Sequence, residues 1–178
     1  ACLSNILDLP SQLPFSASLV FEQSYGEIDG DSASLAIFCV LVSALADLPL
    51  PQHIAITGAI DQFGLVHAVG GVNDKIEGFF SICQHRGLTG KQGVIIPATT
   101  IQQLSLSDEV VEAVKNGEFF IFPVEDIYQT CELIFQRDLL EEEGFYDESK
   151  TPIARLIQHR IESRSEPPKK GLLDFFRF

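Results

Sequence analysis

The sequence predicts an α+β or α/β fold, with a mixed β-sheet and one layer of helices packed on it. Short apolar segments of strand length intermix along the chain with longer segments of helix length. The chain has 178 residues, of which 46% are hydrophobic and 21% are charged, as in one globular domain with or without a tail. These values argue against a mainly disordered chain, a collagen-like chain and a disulfide scaffold.

The individual elements are placed by apolar periodicity and by turn residues between the apolar segments. Strands are predicted at 18–25, 53–57, 93–97 and 118–123, with a hairpin or tight connection in the glycine-rich stretch 58–71. Helices are predicted at about 32–46, 73–86 with Asn73 as the cap, 107–116, 125–140 and, weakly, 153–161.

The domain limits follow from changes in composition along the chain. We expect an irregular lead-in at 1–15, a folded domain at 16–140, and a C-terminal part at 141–178 that contains a charged break, the weak helix and the apolar end GLLDFFRF. Residues 151–178 carry six Lys and Arg against three Asp and Glu, whereas the rest of the chain is strongly acidic. The apolar end either docks on a partner or on its own domain, or is a flexible terminus without a partner.

The net charge of −13 makes nucleic acid a poor partner, because an acidic protein repels phosphate. The longest apolar run, residues 35–46, is shorter than the roughly 20 residues that span a bilayer, so no membrane association is expected. No signal peptide is expected in residues 1–15, since Asp8 and Pro10 interrupt this stretch. The absence of methionine is consistent with a piece of a longer protein.

The cysteines favour buried thiols in a reducing, cytoplasmic compartment. Cys39 and Cys131 lie within apolar runs, and the four cysteines, which include Cys2, form no C-x-x-C pair. Cys83 and His85 supply too few ligands for zinc, so no metal site is expected. The G-x-x-x-x-G-K-[ST] loop of ATPases is absent, and no cofactor is expected in this chain.

The strongest local signal for a catalytic site is the segment Asp29-Gly30-Asp31-Ser32-Ala33-Ser34. In this segment Ser32 lies between a turn and a predicted helix. Such a serine presents its hydroxyl at a bend, and the unpaired N–H groups at the helix start can bind an oxyanion. The alternative is that Ser32 only caps the helix.

Two further segments carry polar groups at the ends of predicted elements. Lys75 follows Gly70-Gly71 just inside a helix, where desolvation would disfavour its ammonium form and allow it to act as a general base. Its alternatives are a solvated surface lysine or a phosphate-binding loop. Thr57 ends a strand and can accept a hydrogen bond from a lysine, or it is only a β-branched strand residue.

Together these segments resemble the proteolytic domain of the Lon protease family. The D-G-x-S-A motif contains Ser32, T-G contains Thr57, G-G-x-x-x-K contains Lys75, and Lys75 follows Ser32 by the family's spacing of 43 residues. The resemblance covers roughly residues 12–135, and the stretch FEQSYGEIDGDSAS is similar to the D-S-A-S branch rather than the P-S-A-G branch.

The resemblance implies a Ser-Lys dyad peptidase with the Lon proteolytic-domain fold. Ser32 would be the nucleophile, Lys75 the general base and Thr57 the residue that orients Lys75. Backbone N–H groups of residues 31–33 (Asp31, Ser32, Ala33) would form the oxyanion hole. No catalytic histidine is required, which leaves His53, His67 and His85 as surface or structural residues.

The resemblance also implies unfolded polypeptide substrates, a homo-hexamer, and an ATPase region on the same polypeptide or a partner, with ATP and Mg²⁺ needed only there. One departure from the larger branch is Asp31, which replaces a proline. Either Asp29 or Asp31 could pair with Lys75 and hold it charged in a resting arrangement. The competing hypotheses are a Lon-like domain retained for assembly, with little proteolysis, and a pure interaction module.

Overall fold

Strands and helices intermix along the chain in the computed structural model, which describes residues 2–7, 16–20, 30–141 and 151–165. In chain order, the elements are α1 (Cys2–Ile6), α2 (Ser34–Ala46), β1 (Ile54–Ile56), β2 (Ala59–Ile60), β3 (Val66–His67), α3 (Val72–Arg86), β4 (Gly93–Pro97), a 3-10 helix (Ala98–Gln103), α4 (Asp108–Lys115), β5 (Phe120–Val124), α5 (Ile127–Phe135) and α6 (Ile153–Ser165). The mixed helix-and-strand fold predicted from the sequence is confirmed.

The central sheet has the strand order β1-β4-β5, and both pairings are parallel. Ala55 lies opposite Val94, and Ile95 lies opposite Phe122. Strands β2 and β3 form a separate antiparallel pair directly after β1. Parallel and antiparallel pairings therefore occur in different sheets of the described residues, and the carboxyl ends of β1 and β4 lie side by side.

Helices cover both faces of the central sheet. Ile95 packs into a core with residues of α2, α5 and α6. Its neighbours Val94 and Ile96 point to the other face and pack with residues of α3 and α4. All five residues of β4 are buried, as expected for a strand covered on both sides. The prediction of one helix layer is therefore wrong, since the helices form two layers.

Most predicted elements are confirmed within a few residues, and the structure differs from the prediction in four places. The helix predicted to 140 ends at Phe135, because Gln136 adopts a left-handed conformation with φ 52°. Gly71, not Asn73, is the N-cap of α3, since it supplies the φ of 66° at that position. Residues Cys2–Ile6, expected to be irregular, form α1. Residues 18–20 of the first predicted strand lie outside any strand, and residues 21–25 lie outside the described residues.

The hydrophobic core extends beyond residue 140. The weakly predicted helix is present as α6, and its Ile153 and Ile157 are fully buried in the core that contains Phe38 and Val42 of α2. The apolar end, residues 171–178, lies outside the described residues.

The predicted burial of Cys39 and Cys131 is confirmed, and Cys83 is buried too. Burial raises the pKa of Cys39 to about 12 and raises the pKa of Cys131 still further. In the described part of the chain, no group of three or more His, Cys, Asp or Glu side chains could hold a metal ion. None of the described helices is long and apolar enough to cross a membrane.

Candidate active site

Ser32 lies in the turn that leads into α2. The turn is closed by the N–H of Ser34, which donates to the carbonyl oxygen of Asp31 at 2.8 Å. Ala33 is the N-cap residue, and no side chain caps the helix, so Ser32 does not serve as its cap. Among the described residues, the N–H groups of Asp31, Ser32 and Ala33 donate to no acceptor. The turn therefore presents a half-buried hydroxyl beside three unpaired N–H groups.

The segment after β1 is joined to this turn by backbone hydrogen bonds. The N–H of Gly58 donates to the carbonyl oxygen of Ser32 at 3.0 Å, and the N–H of Leu35 donates to the carbonyl oxygen of Gly58 at 3.1 Å. The N–H of Ile60 in β2 donates to Ser34 Oγ at 2.8 Å. These bonds fix the start of α2 against the carboxyl end of β1.

Gly58 leaves no room for a side chain at this junction. A Cβ atom there would lie 3.1 Å from Leu35 Cδ2 and 3.1 Å from Val66 Cγ1. Both neighbours are buried core residues, so neither can move aside freely. The close approach of the two segments therefore depends on glycine at this position.

Thr57 connects the other two candidate residues. It is buried at the end of β1, where its N–H donates to the carbonyl oxygen of Ile95 in β4 at 3.0 Å. Its Oγ1 donates to the carbonyl oxygen of Ser32 at 3.3 Å and accepts from Lys75 Nζ at 3.3 Å. One hydroxyl thus contacts both the turn of Ser32 and the side chain of Lys75.

Lys75 reaches Thr57 from the first turn of α3. The left-handed Gly71 starts that turn, and the N–H of Lys75 donates to the Gly71 carbonyl oxygen at 3.0 Å. The Lys75 side chain is exposed over much of its surface. The side chain is therefore open to solvent and is not sealed in a pocket.

Some of the predicted site residues are not brought together. Within the described residues, no hydrogen bond joins Ser32 Oγ to Lys75 Nζ, and no ion pair joins Lys75 to a carboxylate. Asp31 is exposed and does not pair with Lys75 in this structure, and Asp29 lies outside the described residues. The arrangement of Lys75 is set by Thr57 instead.

The three histidines that the resemblance leaves without a catalytic role are exposed. His67 Nε2 lies 2.9 Å from Asp61 Oδ2 at the base of the β2–β3 connection. The same carboxylate accepts the N–H groups of Phe63 and Leu65 through Oδ1. The hydrogen bond from His67 and these N–H groups hold the pKa of Asp61 below its ordinary value. This pair organises the loop and lies outside the Ser32, Thr57 and Lys75 contacts.

Two residues of this arrangement were missed from the sequence. Ser34 anchors β2 through its hydroxyl, and its position as the second serine of D-S-A-S was the available signal. Gly58 permits the close approach of two segments, and its position directly after Thr57 was the signal there. Both act on partners more than twenty residues away in sequence, which local patterns do not reveal.

Comparison with known proteins assigns the chain to a family. Residues 26–137 match the family described as Lon protease (S16) C-terminal proteolytic domain. A protein of Haemophilus influenzae named as a Lon protease homolog is 81% identical over 177 residues, which are 99% of this chain and 30% of that protein. A protein of Escherichia coli with the same name is 53% identical over 166 residues, 93% of this chain and 27% of that protein.

An archaeal Lon protease of Methanocaldococcus jannaschii is 37% identical over 118 residues, which are 66% of this chain and 16% of that protein. The chain therefore spans less than a third of the length of these relatives. The family match covers more than half of the chain and includes the segments of Ser32, Thr57 and Lys75. The chain belongs to the family of Lon protease proteolytic domains.

Proposed function

We propose that this chain is the proteolytic domain of an ATP-dependent, Lon-like serine endopeptidase, which hydrolyses peptide bonds of unfolded proteins with a Ser32–Lys75 dyad. The observation that carries the proposal is the Thr57 hydroxyl, which is hydrogen-bonded to the Ser32 carbonyl oxygen and to Lys75 Nζ. It holds the amine beside the turn that presents the Ser32 hydroxyl. Family membership supports the same chemistry.

In the proposed reaction, Ser32 Oγ attacks the carbonyl carbon of the scissile bond while the neutral amine of Lys75 takes the hydroxyl proton. The tetrahedral oxyanion accepts hydrogen bonds from the unpaired N–H groups among Asp31, Ser32 and Ala33. When the intermediate collapses, the carbon–nitrogen bond breaks and Lys75 returns its proton to the leaving amine. An ester between Ser32 and the acyl part of the substrate remains.

Water completes the reaction. It attacks the ester carbonyl while Lys75 takes one of its protons, and that proton passes to Ser32 Oγ as the ester bond breaks. The carboxylic acid leaves, and the free hydroxyl and the neutral amine are restored. Because Lys75 Nζ contacts Thr57 and not Ser32 Oγ in this structure, the proposal requires a rotation of the Lys75 side chain towards Ser32.

That missing contact also favours a second candidate function, a Lon-like domain retained for assembly or interaction with little or no proteolysis. Lys75 is exposed to water in this structure, as expected for a resting or inactive site. The two candidates differ in whether Ser32 ever becomes a nucleophile, and a direct measurement of that property separates them.

The proposal extends to the full-length protein, of which this chain is a part by comparison with its relatives. There the domain works as a homo-hexamer in the cytoplasm. An ATPase region on the same polypeptide or on a partner binds ATP and Mg²⁺ and delivers unfolded polypeptides. No nucleic acid, membrane, metal or cofactor takes part in the chemistry of this chain.

The test is labelling of the full-length protein with a fluorescent fluorophosphonate, together with ATP-dependent degradation of a fluorescently labelled unfolded protein. We expect wild type to be labelled at Ser32 and to degrade the substrate, and Ser32→Ala to do neither. Equal labelling and degradation by Ser32→Ala would overturn the dyad. An unlabelled wild type that degrades nothing with ATP present would favour the assembly function.

A further inference from the structure

The segment Gln103–Ser107 is bonded to α3, the helix that carries the residue proposed as the base. Its Leu104 and Leu106 pack into the core of α3 and α4, while Gln103, Ser105 and Ser107 are exposed. The segment begins at the last residue of the 3-10 helix that follows β4, and it ends at Ser107, the N-cap residue of α4. We call Gln103–Ser107 the strap.

Two side chains of α3 bind the main chain of the strap. Asn73 Nδ2 donates to the Gln103 carbonyl oxygen at 3.2 Å, and the N–H of Ser105 donates to Asn73 Oδ1 at 3.0 Å. One amide group thus pairs with two main-chain groups, as a neighbouring strand would. The N–H of Ser107 donates to Glu77 Oε1 at 2.8 Å, which also places a carboxylate at the N-terminus of α4.

The helical spacing connects these bonds to Lys75. Asn73 and Glu77 are four residues apart and share one face of α3, and successive residues of a helix are turned by about 100°. Lys75 is two residues from each, so it lies about 160° away around the axis. The buried Val72 and Ile76 lie between the two sides. A rotation of α3 that moved Lys75 away from Thr57 would therefore break the bonds to the strap.

We propose that Asn73 and Glu77 are positioning residues, which fix the rotation of α3 through the strap and so hold Lys75 Nζ at Thr57. This inference rests on the proposed function, since it assigns a role towards the proposed base. The 3-10 helix between β4 and the strap starts at the end of the sheet where Thr57 lies, because the N–H of Thr57 donates to the carbonyl oxygen of Ile95 in β4. Thr57, β4, the 3-10 helix, the strap and α3 therefore form a continuous series of bonded elements that leads back to Lys75.

The test measures kcat and KM for peptide hydrolysis in the full-length protein, with the melting temperature of each variant. We expect Asn73→Ala and Glu77→Ala each to lower kcat about tenfold while KM stays within about twofold, because the base and not the substrate contact is displaced. Glu77→Gln keeps an acceptor oxygen for Ser107 and should restore most of kcat. Asn73→Asp keeps the bond from Ser105 but loses the donor to Gln103, and should fall between wild type and Asn73→Ala.

The matched control is Gln84→Ala, an exposed change further along α3, which should match wild type in kcat. A lower melting temperature with unchanged kcat in both alanine variants would overturn the inference, because the strap would then be only structural. A Glu77→Gln variant as slow as Glu77→Ala would also overturn it. If Ser32→Ala hydrolyses the same peptide at the wild-type rate, the proposed function fails instead, and the two failures are distinguishable.

Discussion

The main-chain N–H of Gly58 donates to the carbonyl oxygen of Ser32 at 3.0 Å. The residue after the proposed lysine-orienting threonine is thereby bonded directly to the proposed nucleophile's own backbone. The carbonyl oxygen of Gly58 in turn accepts the N–H of Leu35 in α2. Two main-chain hydrogen bonds of Gly58 therefore join the end of β1 to the start of α2. The relative position of Ser32 and Thr57 is thus set by the main chain, and only Lys75 depends on a flexible side chain.

Removal of either member of the dyad should abolish peptide hydrolysis. Ser32→Ala removes the nucleophile and Lys75→Ala removes the base of the same step, so the double variant should be no slower than either single one. Degradation of an unfolded protein by the full-length variants measures this. Since alanine is close to serine in size, Ser32→Ala should keep the wild-type melting temperature. If the double variant lost activity by the product of the two single losses, the result would contradict the prediction that both residues act in the same step.

Thr57→Val should lower kcat about tenfold or more, if the orientation of Lys75 contributes one or two kcal/mol. Valine fills the same buried space but cannot bond to Lys75 Nζ or to the Ser32 carbonyl oxygen. Thr57→Ser keeps the hydroxyl and serves as the matched control, with a smaller loss expected. Wild-type activity in Thr57→Val would show that Thr57 does not orient Lys75 and is only a β-branched strand residue.

Gly58→Ala should destabilise the fold and slow fluorophosphonate labelling of Ser32. The added Cβ would lie 3.1 Å from atoms of Leu35 and Val66, and overpacking of this kind costs about 1–3 kcal/mol. Relief of the contact requires Gly58 to move away from α2, which weakens its bond to Ser32. Urea unfolding and the labelling rate give the two measurements. If neither the stability nor the labelling rate changed, the space around Gly58 would be large enough for a methyl group, and the prediction would be wrong.

Gly78→Ala should stabilise the protein by about 0.5–1 kcal/mol, because alanine favours the helical conformation over glycine. Gly78 lies within α3 and is exposed, and an added Cβ would meet nothing within 4 Å. The same urea unfolding experiment measures the gain. This variant is also the control for Gly58→Ala, since both make the same chemical change. A loss of stability here would be inconsistent with the open surroundings of Gly78.

The contribution of Asp61 to stability should depend on pH. The hydrogen bond from His67 lowers the pKa of Asp61 from its ordinary value of 3.8. A carboxyl with a lowered pKa in the folded state stabilises the fold above its unfolded pKa and loses that effect as the pH falls through its folded pKa. The difference in melting temperature between wild type and Asp61→Asn should therefore be larger at neutral pH than below pH 3.8. An equal difference at both pH values would contradict the prediction.

Much of the fold was predictable because apolar segments and turn residues are local signals. The run around Cys39 predicted α2, and the sequence GVIIP predicted β4 at the observed residues 93–97. The second layer of helices was missed, although the continuous apolar run of β4 is typical of a strand buried on both faces. Local propensity also predicted Asn73 as a cap. The structure uses its amide for a segment thirty residues away, which no local pattern shows.

The contacts among the candidate residues could be predicted in part. The motifs around Ser32, Thr57 and Lys75 indicated three segments, and the predicted hydrogen bond between Thr57 and Lys75 is present. The catalytic roles of these residues stay predictions. The position of Lys75 Nζ relative to Ser32 Oγ could not be predicted, because it depends on the rotamer of an exposed side chain.

Helix α6 lies beyond residues 26–137, the part that matches the family. Its Ile153 and Ile157 nevertheless complete the core that covers one side of α2, the helix that begins just after Ser32. The part of the chain that matches the family and the part that packs into this core therefore have different limits. A chain cut at the family limit would keep every residue of the proposed chemistry and expose the inner face of the helix that positions its nucleophile.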